Sequence, residues 1–461
     1  MKSPTYWVKT YGCQMNHNDS ERLSAILETL GFSPATSQEG ADFVIFNTCS
    51  VREHAEQRIY GSMEELVERK KAGSDVVIAV TGCMAGRDKD GALRRRLHFA
   101  DLFFPTTDMV HLPEWLLELR PEWTLETTVT GDDYLEVKPL RESKTKSYVT
   151  IQTGCNQFCT YCAVPYARGL EKNRSVAAIM QEVVDLARAG AAEVTLLGQA
   201  VNAYKAPDPG SFSVENPYQN DYAALLWEIN NLPQIERVHW TAPHPIKMDD
   251  QVIDALRLPK QVNYLHLPVQ SGSNDVLRRM NRKYTREQYL ALIEKIKSAR
   301  PGIALGTDII VGFPGETDKD FEDTLDLYRE CDFDISYNAQ YSPRSGTLSY
   351  RLYEDDIAPE VKKSRWEALQ KLMEETALRK NQKYLGQAVR VLVESVSQGI
   401  LFGTNDELKI VCAPIKKLEV GSLNLEDNQK GSEMVGKFVQ VRVMKPLTWI
   451  LEGEILSAEQ A

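Results

Sequence analysis

Three cysteines lie within one short stretch of this chain, and their spacing constrains its fold more than any other feature. They are Cys155, Cys159 and Cys162, in a C-x3-C-x2-C arrangement directly after a β-type run at Tyr148–Ile151. Thiolates this close together can bind three irons of a cubane cluster and leave the fourth iron without a protein ligand. An open iron allows a cluster to bind a small molecule and pass it an electron. The spacing therefore predicts a [4Fe-4S] cluster at the end of a strand.

Zinc is the competing interpretation of the same three cysteines. A structural zinc site usually takes four protein ligands, which often come from paired C-x2-C units. The chain contains no second C-x2-C pair besides the one formed by Cys159 and Cys162. The iron–sulfur interpretation is therefore favoured at this position.

The first part of the chain, residues 1–122, alternates strand-like and helix-like segments. This rhythm predicts an open parallel α/β sheet wrapped by helices. The first three predicted strands each end in a cysteine, namely Cys13, Cys49 and Cys83. Because the carboxyl ends of parallel strands share one edge of a sheet, we expect the three thiols to meet in space. We interpret them as a second three-cysteine cluster site, with zinc held by His17 or His54 as the alternative.

The strand–helix alternation resumes near residue 147 and continues for six successive β/α units. It predicts a (β/α)6 partial TIM-type barrel, whose chemistry belongs at the C-terminal mouth of its strands. Polar residues follow several of the predicted strands, namely Gln199, Asn202, His244, Gln270 and Asp308. Each of them alone could cap a helix or complete a turn. Their shared location predicts a lined cavity at the mouth.

Four segments follow from these patterns and from changes in composition. The α/β sheet domain of residues 1–122 is followed by a polar, turn-rich linker, 123–146, and by the barrel with a connector helix, 147–380. In the last segment, 381–461, alternating valines and frequent turns predict a small antiparallel β-barrel of OB-like character. Such barrels commonly bind nucleic acid or oligosaccharide, or they simply support a neighbouring domain.

Composition limits the location and the partners of the protein. The formal net charge of −11 argues against a surface coated with phosphate-binding groups, but it does not exclude RNA bound through local basic patches. No apolar run is long enough to span a bilayer. Eight cysteines in 461 residues do not resemble a secreted disulfide scaffold. We therefore expect a cytoplasmic protein that keeps its thiols reduced and makes no contact with a membrane.

The cysteines stand in longer motifs that resemble one known family. The N-terminal motifs are Gly12-Cys13-Gln14-Met15-Asn16, Asn47-Thr48-Cys49-Ser50 and Thr81-Gly82-Cys83. The motifs of the barrel are Gly154-Cys155 through Cys162, Pro165-Tyr166-Ala167-Arg168-Gly169, His266-Leu267-Pro268-Val269-Gln270 and Met280-Asn281-Arg282. With these motifs the chain resembles the radical-SAM methylthiotransferases over nearly its whole length, where SAM is S-adenosylmethionine.

The resemblance implies a specific reaction, because the Gly-Cys-Gln-Met-Asn run is similar to the branch that acts on tRNA. That branch methylthiolates C2 of N6-isopentenyladenosine next to the anticodon and uses two SAM per turnover, one as methyl donor and one as radical source. The implied cofactors are SAM and two [4Fe-4S] clusters, one that binds SAM and an auxiliary one that carries sulfur. The implied partners are a tRNA anticodon stem-loop and an electron donor such as flavodoxin or ferredoxin, with the protein itself a monomer.

The resemblance also implies roles for individual residues. Contacts with SAM are implied for Gln199, Asn202, His244, Gln270, Asp308 and Val311, and a polar wall near SAM or the target base for Arg168, Glu171 and Arg174. The resemblance further implies a C-terminal RNA-binding TRAM domain. Two other interpretations remain open. The same chemistry could act on threonylcarbamoyl-adenosine or on a ribosomal-protein aspartate, or the chain could be a non-catalytic RNA-binding protein stapled by zinc.

Overall fold

The N-terminal part of the protein is the predicted open parallel sheet. The computed structural model describes residues 3–50, 53–123, 133–141, 143, 145–415 and 433–458. The strands are β1 (Thr5–Thr10), β2 (Ser33–Pro34), β3 (Phe43–Thr48), β4 (Val77–Gly82) and β5 (Leu102–Phe104). The helices are α1 (Gln14–Thr29), α2 (Glu53–Lys71), α3 (Cys83–Arg87), α4 (Ala92–Arg96) and α5 (Leu112–Leu119). All neighbouring strands are parallel, in the order β2-β1-β3-β4-β5.

The central strands β3 and β4 explain why this sheet is covered on both faces. Every residue of both strands is buried, and both sequences are nearly continuous runs of apolar residues, which is typical of parallel strands packed between helices. One stretch of the predicted linker packs on this domain. Tyr134 and Leu135 are each 2% exposed and pack in its core, and Arg22 donates from Nη1 to the carbonyl of Leu135 at 3.1 Å. Although the segment is polar in composition, Tyr134 and Leu135 anchor it to the sheet domain.

Six parallel strands and their helices form the middle of the chain. The strands of this region are β6 (Lys146–Thr150), β7 (Gln152–Thr153), β8 (Lys172–Asn173), β9 (Glu193–Leu197), β10 (Arg237–Trp240), β11 (Tyr264–His266), β12 (Ala304–Val311) and β13 (Ile335–Gln340). The short strands β7 and β8 form a separate pair, and the other six are the parallel strands. The helices are α6 (Val164–Ala167), α7 (Val176–Arg188), α8 (Asp221–Asn230), α9 (Asp250–Ala255), α10 (Asn274–Arg279), α11 (Arg286–Ala299), α12 (Asp318–Cys331), α13 (Leu348–Leu352) and α14 (Pro359–Gln382).

The six strands are arranged as two parallel sheets that touch. Their orders are β10-β9-β6 and β11-β12-β13, and a parallel bridge between Val238 and Gln261 links β10 to the segment before β11. The largest apolar core of the described residues lies between these strands and the helices outside them. None of the helices in the described part of the chain combines the length and apolarity needed to cross a bilayer.

The C-terminal segment closes into a small barrel of five strands. They are β14 (Ala388–Ser397), β15 (Ile400–Asn405), β16 (Ile410–Pro414), β17 (Phe438–Pro446) and β18 (Ile450–Ala458), in the closed order β14-β15-β16-β18-β17. The neighbours β16 and β18 are parallel and the other pairs are antiparallel. The prediction of an entirely antiparallel barrel is wrong at this pair. An odd number of strands cannot alternate in direction all the way around a closed barrel.

The C-terminal barrel packs against the beginnings of the central strands. Arg237, the first residue of β10, donates from Nη1 to the carbonyls of Thr404 at 3.1 Å and Asn405 at 3.0 Å. Lys146, the first residue of β6, donates to Glu394 Oε1 at 2.5 Å. The C-terminal barrel therefore covers the side of the central sheets on which the strands begin. The polar residues and cysteines follow the strands and lie on the opposite side.

Candidate functional site

The cysteines of the barrel triplet, Cys155, Cys159 and Cys162, lie on one tight loop after β7. Gly154 has a φ of 73°, and a Cβ at this position would lie 2.1 Å from the carbonyl oxygen of Leu170, so only glycine fits the turn. The backbone N–H of Val164 donates to Cys162 Sγ at 3.4 Å. Burial raises the pKa of both Cys155 and Cys162. These free thiols therefore hold their protons, and a metal that binds them must displace the protons.

A buried arginine contacts the barrel triplet. Arg282 is 8% exposed and donates from Nη1 to Cys159 Sγ at 3.3 Å and from Nε to Tyr284 Oη at 2.9 Å. Burial opposes the charge of Arg282, but its pKa is raised because Tyr284, Tyr161 and Cys159 surround it. A guanidinium cation bonds far better to a thiolate than to a neutral thiol, because a thiol is a weak acceptor. The contact therefore fits a cysteine that is deprotonated by an iron.

The N-terminal triplet, Cys13, Cys49 and Cys83, forms at one edge of the open sheet, as its position after β1, β3 and β4 predicts. Cys49 and Cys83 are buried and Cys13 is exposed. A Cβ on Gly12 would lie 2.8 Å from the Cβ of Cys49, which places the loop of the first cysteine against the second. Burial raises the pKa of Cys83, and nearby Cys13 adds to this effect. The three thiols therefore share one edge of the sheet.

Two asparagines fix the loops that carry the N-terminal triplet. Asn16 Oδ1 accepts from the backbone N–H and from the thiol of Cys13, both at 3.4 Å. Asn16 Nδ2 donates to Asn47 Oδ1 at 3.1 Å, and Asn47 Nδ2 donates back to the carbonyl of Asn16 at 2.8 Å. Both asparagine residues are fully buried. Their reciprocal bonds hold the end of β3 against the start of α1.

An arginine of the central domain completes the surroundings of the N-terminal triplet. Arg168 donates from Nε to Cys83 Sγ at 3.3 Å and from Nη2 to Asp19 Oδ2 at 2.5 Å. The side chains of Arg168 and Asp19 are each 2% exposed. Burial opposes the charge of Arg168, but Asp19 and Cys83 together raise its pKa. As in the barrel triplet, a buried cation faces a cysteine sulfur.

The helices that follow the two triplets contact each other. Helix α3 begins at Cys83, and α6 begins two residues after Cys162. The two helices approach so closely that a Cβ on Gly86 would lie 2.1 Å from the carbonyl oxygen of Ala167. Arg87, at the end of α3, donates from Nη1 to Ser345 Oγ at 2.8 Å, which is a further hydrogen bond between the domains. One close contact thus lies between the two triplets.

Neither triplet is arranged as a preformed single-metal site among the described residues. Within the described ranges, no three His, Cys, Asp or Glu side chains converge as one metal ion requires. Zinc draws every ligand to within about 2.3 Å, whereas the cysteines of a four-iron cluster bind separate irons. His17 is exposed, and the side chain of His54 lies outside the described residues.

Comparisons with known proteins agree with this geometry. The Radical SAM superfamily model matches residues 149–328, and the model described as Uncharacterized protein family UPF0004 matches residues 5–104. The curated tRNA-2-methylthio-N(6)-dimethylallyladenosine synthase of Alkaliphilus oremlandii is 40% identical over 464 residues, which cover 99% of this chain and 93% of that protein. The synthase of the same name from Bacillus subtilis is 39% identical over 460 residues, which cover 98% and 86%.

This chain belongs to the tRNA-2-methylthio-N(6)-dimethylallyladenosine synthase family. Among solved structures, it is similar to the radical S-adenosylmethionine methyltransferase TsrM from Kitasatospora setae. The TM-score is 0.54 at 13% sequence identity, and the match covers 87% of this chain and 81% of that chain. At this identity the likeness concerns the fold alone, and it confirms a radical-SAM fold with α/β sheets.

In this synthase-family chain, Gln199 contacts the loop of the barrel triplet, while Asn202 and His244 contact each other. Gln199 Oε1 accepts from the N–H of Gly154, next to Cys155, at 2.7 Å. Asn202 and His244 bond reciprocally, with Asn202 Nδ2 on the carbonyl of His244 at 3.1 Å and the N–H of His244 on Asn202 Oδ1 at 2.8 Å. The Nδ1 atom of His244 is buried without a partner among the described residues. Burial, with a smaller contribution from Arg282 and Lys247, lowers the pKa of His244 to about 3.

The other three residues predicted to bind SAM differ in what their side chains face. Gln270 has a φ of 74° and pairs with β12 through its backbone N–H, which donates to the carbonyl of Asp308 at 2.9 Å. Asp308 Oδ1 lies 3.1 Å from His266 Nε2. Val311 is fully buried in the apolar core between strands and helices. Its side chain therefore packs in the core, and its carbonyl accepts from the N–H of Tyr341 at 2.8 Å.

The three residues predicted to form one polar wall have different hydrogen-bond partners. Arg168 lies against the N-terminal triplet, whereas Arg174 Nη1 donates to the carbonyl of Thr150 at 2.8 Å and to Glu182 Oε2 at 2.6 Å. Glu171 is half-buried and accepts from Asn173 Nδ2 at 3.4 Å.

Sequence reasoning assigned no role to three residues that contact the site. They are Asp19, His266 and Arg282. Each of them lies in or near one of the sequence motifs, and this position is the signal that could have identified it. A motif does not specify which of its side chains touches a cysteine.

Proposed function

We propose that this protein methylthiolates C2 of N6-isopentenyladenosine next to the anticodon of tRNA, which gives 2-methylthio-N6-isopentenyladenosine. Each turnover would use two SAM, one as methyl donor and one as radical source. The observation that carries the proposal is the contact between α3 and α6, because α3 begins at a cysteine of the N-terminal triplet and α6 begins two residues after the barrel triplet. The full-length similarity to the curated synthases supports the choice of substrate.

We assign one [4Fe-4S] cluster to each triplet. Cys155, Cys159 and Cys162 would hold the SAM-binding cluster, and the N-terminal triplet would hold an auxiliary cluster that carries the sulfur to be transferred. When bound, these groups supply one-electron radical chemistry, which suits an adenine C2–H bond that has no acidic proton. The chain itself supplies hydrogen-bond donors to the ligating sulfurs, from Arg282 and the backbone of Val164 in one site and from Arg168 in the other.

The SAM site would lie beside the barrel triplet. Gln199, Asn202, His244, Gln270 and Asp308 would line it, with Val311 contributing its backbone. The buried, unpartnered Nδ1 of His244 supports this assignment, because a polar group of a ligand would satisfy it. The low pKa of His244 keeps its imidazole neutral, so it would not repel the sulfonium of SAM. We place Glu171 and Arg174 farther out, as residues that support the loop after the triplet.

The finer architecture follows the same assignment. We propose that the six parallel strands form a partial TIM-type barrel around the reaction site and that the C-terminal barrel is an OB-like TRAM module that contacts the anticodon stem-loop. Balanced charges on that module favour contacts by shape and stacking over neutralisation of phosphates. We expect the protein to act as a cytoplasmic monomer that takes electrons from a donor such as flavodoxin or ferredoxin.

A direct assay tests the substrate. Anaerobically reconstituted protein would be incubated with SAM, dithionite and a synthetic anticodon stem-loop that carries N6-isopentenyladenosine. Digestion and mass spectrometry should then detect the 2-methylthio nucleoside. The matched control is the same stem-loop with unmodified adenosine, which should give much less product.

Two other substrates decide between the branches of the chemistry. They are a stem-loop that carries threonylcarbamoyl-adenosine and a peptide from the ribosomal protein with its target aspartate. Product on either of them, with none on the isopentenylated stem-loop, would overturn the assignment. A colourless protein that contains zinc and yields no product would instead support the non-catalytic interpretation.

A further inference from the structure

Each cysteine triplet has a buried arginine at hydrogen-bond distance from one of its sulfurs, but the two arginines differ in origin. Arg282 and its partner Cys159 both belong to the central domain. Arg168 also belongs to the central domain, yet its partner Cys83 belongs to the N-terminal sheet. The N–H···S distance is 3.3 Å in both cases. The surroundings of the N-terminal triplet are therefore incomplete until the two domains dock.

The guanidinium of Arg168 forms a fork, in which one nitrogen donates to a carboxylate and another donates to a cysteine sulfur. Its Nε faces Cys83, and its Nη2 faces Asp19 of helix α1. The remaining nitrogen, Nη1, is buried without a hydrogen-bond partner among the described residues. Desolvating a guanidinium costs several kcal/mol unless charges nearby compensate it. One carboxylate offsets part of that cost, and a negatively charged thiolate at Cys83 would offset more.

We propose that Arg168 is a cross-domain positioning residue that sets the reduction potential of a cluster held by the N-terminal triplet. The central domain would thus tune the cluster of its neighbour through one hydrogen bond to Cys83. This inference rests on the proposed function, because it requires a cluster at the N-terminal triplet. It differs from the role that the resemblance implies for Arg168, which is a wall near SAM or the target base.

The sign of the effect follows from electrostatics. A reduced cluster carries one more negative charge than an oxidised one, so a nearby cation and an N–H donor to a ligating sulfur favour the reduced form. Removal of Arg168 should therefore make the midpoint potential more negative. Asp19 acts in the opposite direction, because its carboxylate disfavours the added electron. Its neutralisation should make the potential less negative.

The test isolates the N-terminal cluster in the full-length chain. In a background with Cys155→Ala, Cys159→Ala and Cys162→Ala, only the N-terminal triplet can hold a cluster. Redox titrations monitored by electron paramagnetic resonance would compare this background with four further changes, Arg168→Met, Arg168→Lys, Asp19→Asn and Arg94→Gln. Arg94 is an exposed arginine of the N-terminal domain, and its side chain lies over Phe103, 5.6 Å from the ring centroid. Its loss therefore controls for the change in net charge.

We expect shifts of opposite sign for the two members of the fork. Arg168→Met should lower the midpoint potential, Asp19→Asn should raise it, and Arg168→Lys should restore part of the loss because it keeps the charge without the fork. Arg94→Gln should leave the potential unchanged. Potentials that are equal for Arg168→Met and its background, at equal iron content, would overturn the inference.

Further outcomes separate this inference from the proposed function. If the background variant binds no iron at the N-terminal triplet, the assignment of an auxiliary cluster fails, and the inference fails with it. If all variants of Arg168 and Asp19 shift the potential in the same direction, the pair acts only through the structure of the loop, and the inference alone is overturned. In protein with both triplets, Arg168→Met should also slow methylthio transfer about tenfold or more while reductive cleavage of SAM persists.

Discussion

The barrel triplet and the N-terminal triplet differ in how much of the protein must fold before three thiols come together. The barrel triplet lies on one loop, Cys155 to Cys162, whose turn is set by Gly154. The N-terminal triplet gathers the ends of three strands and takes an arginine from the neighbouring domain. A site built from a short loop closes with little loss of chain entropy, whereas a site built from distant segments depends on the whole sheet.

The two sites are therefore sensitive to different changes. Local changes in the loop should affect the barrel triplet alone. The N-terminal triplet should respond to its own cysteines, to the packing of β3 and β4, and to the contact of α3 with α6. The four predictions below separate the two sites, and they are ordered by the size of the expected effect.

The largest effect should follow from removing the barrel triplet. Replacing Cys155, Cys159 and Cys162 by Ala should abolish reductive cleavage of SAM, because no iron is left to bind it. Reconstituted wild-type protein should hold about eight irons, and the variant about half of them. Iron and sulfide analysis and detection of 5′-deoxyadenosine measure both quantities. Formation of 5′-deoxyadenosine by the variant would contradict the assignment.

Removal of the N-terminal triplet should give a narrower defect. Replacing Cys13, Cys49 and Cys83 by Ala should again remove about half of the iron, but cleavage of SAM should persist because the barrel triplet folds on its own loop. Transfer of the methylthio group should stop. The matched control is Cys331→Ala, since Cys331 is a buried cysteine of helix α12 in the core of the central domain. Methylthiolated RNA from the triple variant would show that sulfur arrives by another route.

The same contrast explains what could be predicted from sequence. The spacing of the barrel triplet shows directly in the sequence, and the strand-end positions of Cys13, Cys49 and Cys83 follow from a rule of parallel sheets. The bonds from Arg168 to Cys83 and from Arg282 to Cys159 join residues 85 and 123 positions apart. No local periodicity encodes such contacts, because they depend on how loops and domains dock.

The segment boundaries also separate features that the sequence predicts from features that depend on tertiary packing. The alternation of strands and helices after residue 147 is visible in the sequence, and six parallel strands are observed there. Tyr134 and Leu135 look like part of a linker because their neighbours in sequence are polar, and only tertiary packing buries them. The docking of the C-terminal barrel at Arg237 and Lys146 depends on single polar contacts that composition does not reveal.

A smaller effect should come from disturbing the contact between the domains without touching a cysteine. In Gly86→Ala, the new Cβ would lie 2.1 Å from the carbonyl oxygen of Ala167, so α3 and α6 must move apart. A displacement of about 1 Å can cost about a hundredfold in rate when two reacting groups must align. We expect both clusters and cleavage of SAM to persist while methylthio transfer falls about tenfold to a hundredfold. Gly61→Ala in α2, where nothing lies within 4 Å, is the matched control.

The smallest effect should appear as a dependence of stability on pH that belongs to the barrel mouth. The pKa of His244 is lowered to about 3 from the ordinary 6.5, chiefly by burial. Below pH 6.5 the unfolded chain takes up a proton at this position, while the folded protein does not until about pH 3. His244 therefore lowers the free energy of unfolding progressively as the pH falls through this window, by at most about 1.4 kcal/mol per pH unit.

His244→Gln cannot titrate, so the melting temperature of apo wild-type protein relative to this variant should decline as the pH falls from 6.5 towards 4. His98→Gln, at an exposed histidine of the N-terminal domain, is the surface control. A flat difference for His244→Gln would mean that water reaches the imidazole and that the barrel mouth is more open than its burial indicates.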